Sequence, residues 1–273
     1  MRTAPVDRAQ WLTVDEGWGH RAVDFATLLE PAGCREYVTM HHALDIRPGE
    51  RVLDIACGAG LALELAAIRG AEVAGIDASS RLVGVARQRV PAGDIRVGDM
   101  TDLPWDAGTF DVVTSFRGIW ATTVAALHEA RRVLRPGGRI SVTSWGNVMA
   151  SPGVWALAPF LLAAPEKVRA QTEMSSLGRP GTADALLGDA GFIDVRRHRI
   201  PFAWEFADPE HYARALAATG PAYESIQQVG AAAFHRTCLD LATERVHSGL
   251  PLRAEIACVG FTAHVPDDEG NQR

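Results

Sequence analysis

Three aspartates accompany short apolar segments of the chain at nearly equal spacing. Asp54 lies in the apolar segment 52–55, Asp77 comes 23 residues later, and Asp99 comes a further 22 residues on. A carboxylate at the end of a parallel strand can accept hydrogen bonds from both hydroxyls of a ribose. Because parallel strands end at one edge of their sheet, the spacing predicts that the three acids face one ligand.

A glycine turn follows the first of these segments. Gly58 and Gly60 stand between the apolar segment 52–55 and a helix-favouring run, 61–67. Glycine lets a backbone bend tightly and approach a ligand closely. A dinucleotide-binding G-x-G-x-x-G motif has a third glycine under the pyrophosphate, and here that position is Leu63. The turn therefore suits a ligand without a pyrophosphate.

The elements that must position these residues alternate between strand and helix over 51–147, which is typical of a parallel sheet. Helices are predicted over 79–90, capped by Ser79 or Ser80, and over 124–134, ended by Pro136-Gly137-Gly138. Strands are predicted over 111–115 and 139–144.

Beyond residue 147 the regular alternation stops. Prolines and glycines divide residues 148–181 into short helices and loops. A helix over 183–189, a long strand over 195–204, two or three helices within 208–247 and a final strand over 255–263 are predicted.

Five segments of the chain, within roughly residues 45–147, resemble the motifs of the class I S-adenosylmethionine-dependent methyltransferases in their order and spacing. The branch that the chain resembles most is the bacterial small-molecule branch of quinone-biosynthesis and natural-product enzymes. Ala56 departs from the pattern, because many members have glycine there. The segments are 52–60, 75–77, 98–100, 110–115 and 132–140.

The resemblance implies an α/β fold. This is a doubly wound, Rossmann-like, seven-stranded and mostly parallel sheet, whose antiparallel last strand inserts between its neighbours, with helical lid elements. Residues 1–44 are assigned to an N-terminal helical lid and 45–147 to the cofactor-binding core. Residues 148–265 are assigned to cap helices and the last two strands of the same domain, and 266–273 to a disordered tail.

The resemblance further implies S-adenosylmethionine as cofactor and S-adenosylhomocysteine as product. Residues around the glycine turn would surround the methionine part, Asp77 would bind the ribose, and Asp99 the adenine amino group. The alternatives are an empty turn, a helix cap at Asp77 and a turn aspartate at Asp99. The cofactor set is Asp54, Ala56, Gly58, Gly60, Asp77, Ala78, Leu82, Asp99, Met100, Phe116 and Arg117.

Candidates for the acceptor site are aromatic or polar residues of the N-terminal segment, of the cap and of the strand ends. Tyr37 and His41 share a helical face, and either could be a general base. Each candidate also has a structural alternative, as a core anchor, a buried histidine or ordinary lid packing. No catalytic residue is assigned. The candidates are Trp18, His20, Tyr37, His41, Trp120, Trp145, Asn147 and Tyr223.

The composition of the chain limits the kinds of partner that it is expected to have. A formal net charge of −6 argues against nucleic acid, which usually needs a basic face. Four scattered cysteines without a C-x-x-C pair predict neither a metal site nor a disulfide framework. Without a transmembrane-length apolar run or a signal-peptide core, a cytoplasmic protein without membrane association is expected. The oligomeric state, a homodimer included, is left open.

The predicted function is in-line transfer of a methyl group to oxygen, nitrogen or carbon of a small molecule. The segment after the fourth strand, Ser115-Phe116-Arg117-Gly118, lacks the [DNS]-P-P-[YF] motif of DNA amine methylation. Two alternatives stay open. One is a cyclase-like enzyme that keeps the cofactor without transferring its methyl group, and the other is a binding protein with a degenerate site.

Overall fold

Apolar, β-branched segments of the chain form the strands of a central sheet. The computed structural model describes residues 14–119, 124–163 and 176–267. Within these residues, seven strands form one sheet in the order β3-β2-β1-β4-β5-β9-β6, and β7 pairs with β8 in a separate two-stranded sheet. The strands are β1 Arg51–Ile55, β2 Glu72–Asp77, β3 Asp94–Val97, β4 Phe110–Phe116, β5 Leu134–Trp145, β6 Ile193–Ile200, β7 Ala203–Glu205, β8 Arg253–Glu255 and β9 Cys258–His264.

Helices cover both faces of the sheet and build a cap over its carboxyl edge. Short 3-10 turns at Val148–Ala150 and Val154–Leu157 lead into the cap. The α-helices are α1 Cys34–Ala43, α2 Leu61–Ile68, α3 Ser80–Arg89, α4 Val124–Val133, α5 Ala158–Ala163, α6 Thr182–Asp189, α7 Pro209–Ala217, α8 Gly220–Val229 and α9 Ala231–His247.

The pairing of the strands confirms the predicted fold class. β1 lies parallel between β2 and β4, with Val52 opposite Val73 on one side and Val112 on the other. β9 inserts antiparallel between β5 and β6, where Val142 pairs with Phe261. The strands that carry the three aspartates therefore lie side by side.

Three predicted elements were wrong in detail. The single strand expected over 195–204 is two strands in different sheets, because Pro201 has no N–H to continue the ladder. The final strand expected over 255–263 is likewise divided between β8 and β9. The helix over 124–134 ends at Val133, and Leu134 already pairs with Phe110, so Pro136 lies inside a strand segment with an irregular register.

Of the five apolar clusters in the described residues, the two largest lie against the sheet and in the cap. One lies between the sheet and helices α4 and α6, around Phe110, Leu127 and Phe261. The other lies inside the cap, around Tyr212 and Phe234. The cap core reaches the carboxyl edge of the sheet, so the ligand edge is enclosed between the sheet and an apolar lid.

The N-terminal segment is helical with an unusual turn. Ala22–Asp24 is followed by a π-helical turn, Phe25–Leu29, and a 3-10 turn, Glu30–Gly33, which continues into α1. π-Helical turns are rare in proteins, and those that occur are often found at functional sites. Of the segments assigned to the lid and the tail, residues 1–13 and 268–273 lie outside the described residues.

Candidate functional site

A cavity of about 970 Å³ lies at the carboxyl ends of β1, β2, β4 and β5. Ligands of doubly wound sheets bind at this edge. The walls come from the strand ends on one side and from the N-terminal segment and the cap on the other. Asp54, Asp77 and Asp99 accompany β1, β2 and β3 at one end of the cavity, and Trp145 ends β5 at the other.

The glycine turn forms one wall at the carboxylate end. Ala56 and Gly58 both line the cavity and both have left-handed backbones, with φ of 59° and 55°. Gly60 also has a positive φ, 84°, but it does not line the cavity. A side chain on Gly60 would lie 2.8 Å from the Cβ of Ala86, so this glycine lets α2 and α3 pack closely.

Asp77 ends β2 with its carboxylate held by the backbone. Its Oδ2 accepts a hydrogen bond from Gly58 N at 2.9 Å, and its Oδ1 accepts one from Ser79 N at 2.8 Å. Ser79, not Asp77, caps α3, through the Leu82 N–H. Burial raises the pKa of Asp77, and these two hydrogen bonds oppose that rise. The carboxylate is thus fixed in the cavity wall.

Asp54 is the most perturbed carboxyl group of the cavity. It is 2% exposed, and its Oδ1 accepts a hydrogen bond from Thr114 Oγ1 at 2.7 Å. Burial raises its pKa to about 8, and the neighbouring carboxylates of Glu30, Asp77 and Glu36 add to that rise. A cation next to Asp54 would relieve this cost. The buried carboxylate of Asp54, a hydrogen-bond acceptor, therefore fits the ammonium group of an amino-acid ligand.

Asp99 and its neighbours complete the carboxylate end. Asp99 Oδ1 accepts hydrogen bonds from Thr101 N and Thr101 Oγ1 at 2.8 and 2.7 Å, which fixes the turn after β3. Met100, Ala78 and Leu82 line the cavity between Asp99 and Asp77. These side chains form an apolar slot bounded by two carboxylates, a suitable shape and chemistry for a nucleoside.

The N-terminal segment docks beside this slot. Asp15 Oδ1 accepts hydrogen bonds from Ser79 Oγ at 2.6 Å and from Arg81 N at 3.3 Å. Trp18 lines the cavity and packs edge-to-face on Phe25, with ring centroids 5.9 Å apart. The segment therefore closes the cavity directly over the end of β2.

The π-turn brings a buried ion pair to the glycine turn. Glu30 is 5% exposed, lines the cavity and pairs with Arg89, which also donates to Ala26 O and Ala59 O. Burial raises the pKa of Glu30, and Arg89 opposes that rise. Sequence reasoning missed this pair, because each residue reads as an ordinary polar position of a helix.

The opposite end of the cavity is apolar and aromatic. Trp145 packs edge-to-face on Trp204, with ring centroids 5.9 Å apart. Val148, Leu157 and Phe160 of the cap extend this wall. Of the predicted acceptor residues, Tyr37, Trp145 and Asn147 line the cavity here, and Trp18 lines it beside the end of β2. Trp204 and Phe160 were not predicted as site residues. Trp204 ends the strand expected over 195–204, which is the signal that could have found it, whereas Phe160 lies in the segment 148–181 that prolines and glycines divide.

A second buried ion pair lies under the aromatic end. Arg117 has a left-handed backbone, φ 59°, and its Nε lies 3.0 Å from Oε2 of the fully buried Glu36. Thr143 Oγ1 donates to Glu36 and accepts from Arg117 N at 3.0 Å. The guanidinium carbon lies 4.8 Å from the Trp145 ring centroid. Helix α1 is thereby tied to the loop after β4.

Three other candidates lie away from the cavity lining. His20 Nδ1 is 2.8 Å from Gly17 O, and its ring contacts Tyr223 at 5.4 Å. His41 is 2% exposed, and burial lowers its pKa to about 4. This neutral, buried ring packs against Phe116 at 5.8 Å. Trp120 lies outside the described residues.

Within the described residues, no cluster of three or more His, Cys, Asp or Glu side chains could hold a metal ion. No helix in the described part of the chain is long and apolar enough to cross a membrane.

Comparison with known proteins assigns this geometry to a family. A family model described as a methyltransferase domain matches residues 53–142. An uncharacterized methyltransferase, sll0829, of Synechocystis is 33% identical over 57% of this chain and 72% of its own length. A demethylmenaquinone methyltransferase of Beutenbergia cavernae is 41% identical over 38% of this chain, and the chain spans only 45% of that relative.

A solved structure extends the similarity across the fold. The phosphoethanolamine N-methyltransferase 2 of Haemonchus contortus, in complex with S-adenosylhomocysteine, superimposes with a TM-score of 0.60 at 18% identity. The alignment covers 93% of this chain and 59% of that one. At that identity the likeness shows the fold alone.

The strand order and the carboxylate-lined edge define a Rossmann-like protein that binds a nucleoside-containing cofactor. Together with the family match and the relative covered over 72% of its length, they show that the chain belongs to the class I S-adenosylmethionine-dependent methyltransferases. The family and the cofactor expected from the sequence are confirmed. The individual site residues stay predictions.

Proposed function

We propose that this protein transfers a methyl group from S-adenosylmethionine to an apolar small molecule bound at the aromatic end of the cavity. The observation that carries the proposal is the continuity of one cavity from Asp77 and Asp99 to Trp145 and Trp204. Donor and acceptor would then lie in the same enclosed space. The net charge of −6 supports a small acceptor rather than a nucleic acid.

When bound, the cofactor would supply a methyl group attached to a positively charged sulfur. An acceptor atom would bond to the methyl carbon from the side opposite the sulfur, and the carbon–sulfur bond would break. Such a displacement depends on orientation, which can supply about 7–11 kcal/mol of the barrier. The residues of this chain would supply that orientation. Asp77 and Asp99 would bind the nucleoside, and Asp54 with the turn at Ala56 and Gly58 would bind the amino-acid part.

The remaining task of the protein is to exclude water. Trp18 and Phe25 of the N-terminal segment and Phe160 of the cap cover the cavity with apolar surface. Expelling water strengthens every electrostatic interaction inside the site. We therefore assign the N-terminal segment and the cap to closure over the donor and the acceptor.

The test is a product screen with purified protein, S-adenosylmethionine and a panel of phenolic, quinone-like and polyketide acceptors. Mass spectrometry should find a methylated acceptor and an equal amount of S-adenosylhomocysteine. Asp77→Asn should lower the rate, whereas Asp240→Asn, on the exposed face of α9, should not. Conversion of an acceptor without methylation or cofactor consumption would favour the cyclase-like alternative. Binding of cofactor without conversion of any acceptor would favour a binding protein.

A further inference from the structure

Charges are segregated along the cavity. Among the described residues that line it, the four acidic ones are those of the cofactor end: Glu30, Asp54, Asp77 and Asp99. The basic lining residues are Arg117, Arg179 and Arg197, and of these Arg117 stacks on Trp145 of the aromatic wall. The two ends of the cavity therefore present opposite charges to their ligands.

We infer that the aromatic end selects an apolar acceptor that carries an anionic oxygen, such as a carboxylate, phenolate or enolate, with Arg117 as the residue that determines this specificity. The inference rests on the proposed function, because it assigns the aromatic end to the acceptor. Acceptors with an anionic oxygen are then expected to bind, and cationic amines are expected to bind poorly.

The orientation of the Arg117–Glu36 pair supports the inference. Arg117 lines the cavity and keeps 22% of its side chain accessible, whereas Glu36 is fully buried and does not line it. The carboxylate thus lies behind the guanidinium as seen from the cavity. Of the two partners, Arg117 is therefore the one that lines the cavity and can contact a ligand.

The aromatic rings that could bind a cation already bind one. The guanidinium carbon of Arg117 lies 4.8 Å from the centroid of Trp145 and 5.0 Å from that of Phe202. Cations bind favourably to such ring faces. A cationic acceptor placed here would meet a like charge instead of a vacant aromatic cage, and like charges in an interface are strongly unfavourable.

Two further arginines extend the positive region. Gly178 lies so close to the backbone of Trp145 that an added Cβ would be 2.3 Å from Trp145 O, which brings Arg179 to this wall. Arg197 lies over the ring of Phe261 at 5.6 Å. In the part of the chain that the structure describes, neither Arg179 nor Arg197 forms an ion pair.

The test uses three naphthalene probes that differ in charge: naphthoate, naphthylmethanol and naphthylmethylammonium. Each is titrated calorimetrically into the full-length protein saturated with S-adenosylhomocysteine. Naphthoate should bind about tenfold or more tightly than naphthylmethylammonium, with the alcohol between them, because charges in a partly buried site interact at reduced dielectric. Equal affinities, a preference for the cation, or no binding of naphthoate would overturn the inference.

Variants then test the assigned residue. Arg117→Met should reduce the preference for naphthoate to within about threefold, and the double variant Glu36→Gln, Arg117→Met should do the same without leaving a buried carboxylate unpaired. Arg245→Met is the matched control, since that guanidinium stacks on Trp155 at 4.3 Å outside the cavity. An unchanged preference in the double variant would overturn the role of Arg117.

Binding of S-adenosylhomocysteine distinguishes a failure of the proposed function from a failure of the inference about the acceptor. If wild-type protein does not bind it, the proposed function fails. If it binds and the probes show no charge order, only the inference about the acceptor fails. Retained binding of S-adenosylhomocysteine by the Arg117 variants would also show that they fold.

Discussion

The protonation of Asp54 should make cofactor binding depend on pH. In the ligand-free protein burial raises the pKa of this carboxyl group to about 8. At pH 7 such a group is protonated in about 0.9 of the molecules. We expect the ammonium group of the cofactor to lie next to Asp54 and to favour its ionised form. Binding should therefore release close to one proton.

The sign of the effect follows from the direction of the shift. Because the free protein holds the proton and the complex releases it, affinity should rise with pH, by nearly tenfold between pH 6 and pH 7. Titrations of S-adenosylhomocysteine in buffers of low and high ionisation enthalpy would measure the released protons directly. Release of less than about 0.2 proton at pH 7 would refute the reasoning.

Two variants show whether Asp54 is the group that releases the proton when the cofactor binds. Asp54→Asn preserves the size of the side chain and the acceptor for Thr114 Oγ1, but it should abolish proton release and its pH slope. Asp111→Asn is the control, because Arg51 N and Arg135 hold the pKa of that carboxyl group below its usual range, outside the cavity. Proton release that persists in Asp54→Asn would assign it to another group.

The remaining predictions concern Asp77, the lid and His41. Asp77→Ala should weaken binding of S-adenosylmethionine by about 1.5–3 kcal/mol in calorimetry, the usual range for a hydrogen bond to a charged group. Gly220→Ala would place a Cβ 2.4 Å from Nε1 of Trp18, so thermal unfolding should show a loss of about 1–3 kcal/mol, with weaker cofactor binding. Burial lowers the pKa of His41 to about 4, so the wild type should lose stability as pH falls from about 6.5 towards 4, and His41→Phe should lose less.

Each of these variants has a matched control, and equal stability of Gly220→Ala and wild type would contradict the packing of Trp18 against α8. Asp240→Ala should leave cofactor affinity unchanged, and equal losses in both aspartate variants would remove the assignment of Asp77. Gly84→Ala fills open space in α3 and should be neutral or stabilising. Exposed His42→Gln should keep the wild-type acid sensitivity, and the same sensitivity in His41→Phe would contradict the prediction.

The cofactor end could be predicted from the sequence because its residues follow consecutive strands. Asp54 lies one residue before the end of β1, Asp77 ends β2 and Asp99 follows β3 by two residues, so local pattern and parallel pairing bring them together. The insertion of β9 was implied by the resemblance to the family and not by this local pattern. Strand ends were harder: apolar residues lie on both sides of Pro201, and the sequence analysis did not predict that its missing N–H divides the segment into β6 and β7.

The acceptor end depends on contacts between distant segments, which periodicity does not encode. Phe160 and Trp204 belong to cap elements that meet the sheet only in the folded chain. Glu36 lies on α1 between Arg35 and Tyr37, and its partner Arg117 is 81 residues away. No residue type or spacing distinguishes this buried pair from solvent-exposed charges.

The central claim is that the cavity binds S-adenosylmethionine at its carboxylate end. The most direct test is a calorimetric titration of dialysed protein with S-adenosylmethionine and, in parallel, with S-adenosylhomocysteine. Both ligands should bind to the wild-type protein at micromolar concentrations, and both should bind more weakly to Asp77→Ala. Binding of neither ligand by folded wild-type protein would contradict it.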